Sequence, residues 1–219
     1  MNKKKIIIIG YGSHAKVIFS EIIKLKKYKI AGFIDPFSKA EYHEYKNKRI
    51  KIFREIKELQ INNLLAIIAI GNNFKRKKVF NEIKKKNILL KWINIISKDS
   101  IINNNVKIGN GSFIASGVTI NNDTVIGQHC IINTNSSIDH DNQFKDFSSC
   151  APGVTTGGNV SLGELSHLGI GCSVNHKIII GKNTIIGGQS FVNKNCSSNS
   201  TYYGVPIKKS SKKINRNYL

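Results

Sequence analysis

Two kinds of residue in this 219-residue chain carry chemistry that works near neutral pH. The first is histidine, whose imidazole changes charge between about pH 5 and 8. There are six: His14, His43, His129, His140, His167 and His176. His140 stands between two carboxylates in Ile138-Asp139-His140-Asp141, and His176 follows it by 36 residues. The second is a glycine turn, Gly10-Tyr11-Gly12-Ser13-His14-Ala15, with a carboxylate further on at Asp35. A strand, glycine turn and helix in that order can bring backbone N–H groups to a phosphate. The four cysteines, Cys130, Cys150, Cys172 and Cys196, form no CxxC. Neither a zinc knuckle nor a redox pair is expected, and the thiols are expected to be reduced and buried.

The elements that position these residues differ between the two halves. From Ile102 to Val192 every sixth residue is apolar except Thr156, with no slip of register. A helix has period 3.6 and an ordinary strand period 2, whereas a parallel β-helix with three short strands per coil has period six. Each coil takes about 18 residues and about five coils are expected. Glycine often follows the apolar residue (Gly109, Gly127, Gly157, Gly163, Gly169, Gly181, Gly187), as expected of corners with unusual backbone angles. The fourth residue after it is mostly small, and three of the cysteines fall there. Counting in sixes puts His140 two positions past Ile138, at a corner where side chains can point outward. His176 lies on the same edge two coils later, about 10 Å away at the usual strand spacing.

The first half alternates strands and helices. The apolar run Lys4–Ile9 enters the glycine turn and a helical pattern through Val17, Ile18, Ile22 and Leu25. Further strands are expected at Ile30–Ile34, closing with Asp35-Pro36, at Leu64–Ile70, ending in Gly71-Asn72-Asn73, and at Ile88–Ile96, with a helix over Lys75–Lys86. This is an α/β unit with a small parallel sheet covered on both faces, and ligands are expected beyond the carboxyl ends of its strands. It is half of a dinucleotide-binding fold, which suits a mononucleotide. The expected organisation is an α/β domain over 1–96, a parallel β-helix over 97–209 and a basic tail over 210–219.

The hexads resemble those of the hexapeptide-repeat, left-handed β-helix acyltransferases. Together with Gly-Tyr-Gly-Ser-His-Ala-Lys-Val at 10–17, Phe-Ile-Asp-Pro at 33–36 and Ile-Gly-Asn-Asn at 70–73, nearly the whole chain resembles the bacterial nucleotide-sugar N-acetyltransferases and sialic acid O-acetyltransferases. The resemblance implies that His140 is the catalytic base, with Asp141 orienting it and Asp139 the alternative. It implies that the N–H of Gly158 holds the thioester carbonyl, and that His176, Gly187, Gly188, Pro206 and Lys208 belong to the acetyl-CoA site. Gly10, Gly12, Ser13, His14, Asp35, Gly71 and Asn72 would hold the nucleotide sugar. A homotrimer with active sites between subunits is implied, serving surface or glycoprotein glycans. There is one departure: many relatives carry a histidine just before Ala-Pro-Gly, where this chain has Ser149. The His140–His176 spacing also resembles that of γ-class carbonic anhydrases, but the third ligand position is Gly181. A catalytic zinc site then lacks its set of three, and no metal is expected.

The formal charge is +21, and Ile, Lys and Asn number 38, 30 and 26, the bias of an AT-rich coding sequence. Residues 1–100 hold 24 basic against 8 acidic side chains, while residues 101–207 hold 5 against 5. No aromatic residues interleave with the basic ones in the manner of a nucleic-acid binder, so no nucleic-acid partner is expected. No run is long enough for a membrane span and the first apolar segment is too short for a signal peptide, so a cytoplasmic chain without a membrane partner is expected. The leading expectation is an acetyl-CoA-dependent N-acetyltransferase acting on the amino group of a nucleotide-linked dideoxy sugar. The alternatives are a sialic-acid-type O-acetyltransferase and a non-catalytic nucleotide-sugar sensor or scaffold.

Overall fold

The computed structural model describes residues 3–58 and 64–211. Residues 212–219 of the basic tail lie outside the described residues. The first unit comprises β1 (Lys4–Ile9), α1 (Ser13–Leu25), β2 (Tyr28–Ile34), β3 (Tyr42–Tyr45), β4 (Lys48–Phe53), β5 (Leu64–Ile68), α2 (Asn73–Lys85) and β6 (Leu90–Trp92). The sheet order is β3-β4-β2-β1-β5-β6, parallel except for the antiparallel pair β3–β4. Alternation along β1 divides its isoleucines between the two faces. Ile6 and Ile8 pack with Ala15, Ile18, Phe19 and Ile22 of α1, while Ile7 and Ile9 pack with Val79, Phe80 and Ile83 of α2. Each of these fully buried isoleucines contributes about 1.5–3 kcal/mol of transfer free energy, which is why the strand reads as one unbroken apolar run.

Two features of this unit differ from the sequence reading. The β3–β4 hairpin turns at Lys46 and Asn47, both left-handed at φ 44 and 61. Such a turn suits the twist of a hairpin but is hidden when lysine rather than glycine takes part. The run expected as one strand over 88–96 is divided. Leu90–Trp92 pairs with β5, whereas Ile95–Ile96 pairs with Phe113–Ile114 and opens the β-helix. Asn94 makes the break: its amide donates to Ile108 O (3.2 Å) and its oxygen accepts from Ser112 N (3.0 Å).

The β-helix has three faces of two-residue strands, each pairing with the strand 18 residues on, as in Phe113↔Ile131, Thr119↔Ser137 and Val125↔Gln143. The second residue of each strand points inward, and Ile114, Ile120, Ile132, Ile138, Leu162, Leu168 and Ile186 are fully buried. The small position is also interior and carries a hydroxyl ladder. Ser112 Oγ donates to Gly127 O (2.9 Å) and accepts from Cys130 N (2.9 Å), and Ser166 does the same with Gly181 O and Thr184 N. All four cysteines are free and buried. The glycines after the apolar residue are not there for backbone angle. They are needed because a side chain would strike the next coil, 2.5 Å from Lys182 N at Gly163 and 2.8 Å from His176 N at Gly157. Left-handed φ falls two residues later, at Asn105, Asp123, His129, Asn135, Asp141 and Phe147 among others.

The first unit covers one face of the prism. On this docked face the outward residues Phe113, Ile131, Ser149 and Ile185 are buried, while outward residues of the other two faces such as Ile101, Val125, Ile179 and Phe191 stay exposed. The core of α1 and the core of the coils are continuous.

Candidate active site

The corner between the two undocked faces repeats three positions in successive coils: Asp139, Gly157 and Asn175; His140, Gly158 and His176; Asp141, Asn159 and Lys177. The His140 ring is about half exposed, at 54%. Its Nδ1 lies 2.7 Å from Asp141 Oδ2. A carboxylate there holds the proton on Nδ1 and leaves Nε2 as the basic nitrogen. The hydrogen bond to Asp141, followed by the charge of Asp139, raises the imidazole's pKa above its ordinary 6.5. Asp139 has other work, since its Oδ1 accepts from His140 N (2.8 Å) and Asn121 Nδ2 (3.1 Å). Asp139 thus fixes the backbone and Asp141 the ring.

Gly158 offers a backbone donor for a reason its neighbours make plain. At the equivalent position of adjacent coils, His140 N donates to Asp139 Oδ1 and His176 N to Asn175 Oδ1 (2.9 Å). Before Gly158 stands Gly157, which has no side chain to accept. The N–H therefore faces a groove of about 350 Å³ walled by His140, Asn159, His176 and Lys177. A base and an unspent N–H donor in one groove are the two groups an acyl transfer requires.

The glycine turn lies elsewhere. Gly10 has φ 105 and donates to Ile34 O (2.8 Å); a side chain there would press on Ala69 O at 3.1 Å. Gly12 caps α1 without a side-chain bond, so the N–H groups of Ser13 and His14 open the helix without intrahelical partners, at the end that favours anions. Asp35 ties the loops together, with Oδ2 accepting from Tyr11 N (2.8 Å) and Oδ1 from Phe37 N (2.9 Å). Asn72 caps α2 by accepting from Lys75 N (2.9 Å). Gly10, Gly12, Ser13, His14 and Gly71 thus gather at the carboxyl ends of β1 and β5, with Asp35 and Asn72 holding their frame.

A residue the sequence did not mark joins this loop to the prism. Arg76, 1% exposed, donates to Ile70 O, Gly71 O and Asn73 Oδ1 on its own side, and to His129 O and Phe147 O at two coil corners. Within the run Lys75-Arg76-Lys77-Lys78 nothing in charge or spacing distinguishes it from the lysines around it. Burial lowers its pKa to about 10, so it stays charged at neutral pH.

Among the expected coenzyme residues, Gly158 and His176 lie beside His140. Gly187 and Gly188 sit on a different corner, where the Tyr203 ring fills the space of a side chain at Gly187. Pro206 and Lys208 follow in the terminal segment, with Lys208 paired to Tyr203. In cross-section the His140 corner is opposite the docked face, so one chain does not bring its own glycine turn and its own His140 together. Among the described residues, no group of three or more His, Cys, Asp or Glu could hold a metal.

The fold is that of the hexapeptide-repeat acyltransferases. Residues 5–83 match the PglD N-terminal domain. GDP-perosamine N-acetyltransferase of Escherichia coli O157:H7 is 30% identical over 119 residues, 52% of this chain and 53% of that protein, so the match spans about half the length of the curated relative. PerB from Caulobacter crescentus, solved in complex with CoA and GDP-perosamine, superposes with TM-score 0.82 at 27% identity, covering 94% of this chain and 97% of that one. The acetyltransferase domain of PglB from Neisseria gonorrhoeae, solved with acetyl coenzyme A, has the same fold with TM-score 0.85 at 23% identity, covering 95% and 100%. The chain is thus similar in fold to a nucleotide-sugar N-acetyltransferase, and its first unit matches the PglD N-terminal domain.

Proposed function

We propose that this chain transfers the acetyl group of acetyl-CoA to the amino group of a nucleotide-linked amino-dideoxy sugar, with His140 as the base. The observation that carries the reading is the His140–Asp141 pair sharing one groove with the Gly158 N–H. His140 Nε2 takes the proton from the amino nitrogen as that nitrogen bonds to the thioester carbon. Asp141 keeps the resulting imidazolium oriented and stabilised. The Gly158 N–H donates to the carbonyl oxygen as it becomes an oxyanion, and collapse of the tetrahedral species breaks the carbon–sulfur bond to release the CoA thiolate. The relatives named above that were solved with CoA, acetyl-CoA and GDP-perosamine support this choice of substrates.

The assembly we propose is a homotrimer. Because the glycine turn and His140 lie on opposite sides of one prism, a sugar held by one chain meets the His140 of a second copy. Four free thiols fit a reducing, cytoplasmic setting, and the product would serve surface or glycoprotein glycans.

Release of CoA thiol, followed with UDP-, GDP- and dTDP-linked 4-amino sugars and with free sialic acids, tests the reading. Turnover is expected only with the nucleotide amino sugars; turnover confined to sialic acids would replace the nitrogen acceptor by an oxygen one. Light scattering should report three chains, and an active monomer at micromolar concentration would overturn the shared site.

A further inference from the structure

The outward column of the docked face is apolar at Phe113, Ile131 and Ile185 but polar at Ser149 and His167. A surface covered by another domain gains nothing from a hydroxyl and an imidazole unless they are hydrogen-bonded. Ser149 is 3% exposed, and its Oγ lies 2.8 Å from His167 Nδ1. The His167 ring is not sealed, since the residue remains partly exposed.

Two contacts place this pair at the carboxyl ends of β1 and β5. Asn73, directly after Gly71-Asn72, donates its amide to Leu165 O (3.2 Å) and Ser166 O (3.1 Å), the two residues before His167. His14 packs edge-on against Phe113 of the same column, with ring centroids 5.4 Å apart, and its Nε2 is buried without a protein partner. The space beyond the strand ends, where such sheets take their ligands, is therefore bounded by the docked face, and the polar part of that wall is Ser149 with His167.

We propose that Ser149 and His167 form a specificity-determining pair that hydrogen-bonds a ring hydroxyl of the acceptor sugar held by the same chain's glycine turn. The inference rests on the nucleotide-sugar reading above. Burial, followed by the charge of Arg76, holds the pKa of His167 and of His14 down to about 4, so both rings are neutral at neutral pH. A neutral ring has one donor and one acceptor nitrogen, which suits a hydroxyl. The diphosphate is served by the positive end of α1. With Nδ1 engaged by Ser149, His167 Nε2 is the nitrogen left for the sugar.

Titration calorimetry on the full chain, with the nucleotide amino sugar, the matching nucleoside diphosphate and CoA as separate probes, tests this. His167→Phe should weaken the nucleotide amino sugar about tenfold or more by leaving a polar group unpaired, while the nucleoside diphosphate and CoA bind as to wild type. Ser149→Ala should weaken the sugar less, and the double variant should be no worse than His167→Phe alone. His167→Gln keeps a donor and an acceptor and should retain most of the affinity; it carries the comparison if His167→Phe does not fold. Equal loss for the nucleoside diphosphate, or no loss for the sugar, would overturn the pair. A wild-type chain that binds neither nucleotide sugar nor CoA would instead overturn the acetyltransferase reading beneath it.

Discussion

A side chain begun at Gly158 would place its first carbon 2.6 Å from His140 Cε1 and 2.7 Å from Nε2. The imidazole lies against the backbone of the next coil, in space that only a glycine leaves open. The proposed base and the proposed oxyanion donor are therefore held together by one contact between adjacent coils.

Gly158→Ala should displace the ring without unfolding the coil, because the obstructing atoms belong to a side chain on the surface and Gly158 has no left-handed φ. We expect kcat to fall about 100-fold or more, the scale of general-base loss, with an unchanged melting temperature. An alanine variant with wild-type kcat would show that the ring's place against Gly158 is immaterial.

His140→Ala should lower kcat by about 10² to 10⁴ while leaving both substrate dissociation constants nearly unchanged, because the base acts in the transition state. His176→Ala, the control, should change the KM for acetyl-CoA more than kcat. Since Asp141 raises the pKa of His140, wild-type activity should decline as pH falls through a value above 6.5. Asp141→Asn should move that acid limb to lower pH and cost less than His140→Ala. A pH–rate profile that does not move in Asp141→Asn would remove Asp141 from this role.

Arg76→Met should strip the donors from Ile70 O, Gly71 O, His129 O and Phe147 O at a buried junction. Leaving buried acceptors unpaired costs about 1–3 kcal/mol each before relaxation, so urea unfolding should separate into an early loss of the α/β unit and a later loss of the β-helix. Arg76→Lys, with one ammonium for three dispersed donors, should recover part of the stability. A single unfolding transition at the wild-type midpoint in Arg76→Met would refute the junction role.

Acid should destabilise the fold through His14, His129 and His167, each held by burial, and then by the charge of Arg76, at a pKa of about 4. The unfolded chain binds these protons near pH 6.5 and the folded chain does not. Stability should therefore be complete above pH 6.5 and decline as pH falls toward 4, then level off with respect to these groups. His129 is the sharpest probe, since both its ring nitrogens are buried without partners and its ring stacks on Phe147 at 5.1 Å. His129→Phe should flatten the decline, and the left-handed position accepts it because Phe147 already occupies the same place in the next coil. A urea midpoint whose slope with pH is the same in both proteins would contradict this.

What the sequence determined by itself was whatever repeats locally. The hexad places an inward aliphatic on every two-residue strand, so coil, register and interior followed from counting, as did the His140–Gly158–His176 edge and the order of strand, glycine turn and helix. Local chemistry was less decisive where two residue types serve one geometry. The left-handed corners are filled by Asn, Asp, His, Phe and Lys as well as glycine, and the glycines that looked like turn residues prove to be there for the closeness of the next coil. Only the tertiary structure decided which face is docked, because Ile101, Val125 and Phe113 are equally apolar outward residues on three different faces and the hexad treats them alike. That choice buried Arg76 among carbonyls, set the Ser149–His167 pair of adjacent coils against the glycine turn, and put His140 on the far side of the prism. The contacts between the two units join residues 53 to 93 positions apart, and no periodicity within either half encodes them.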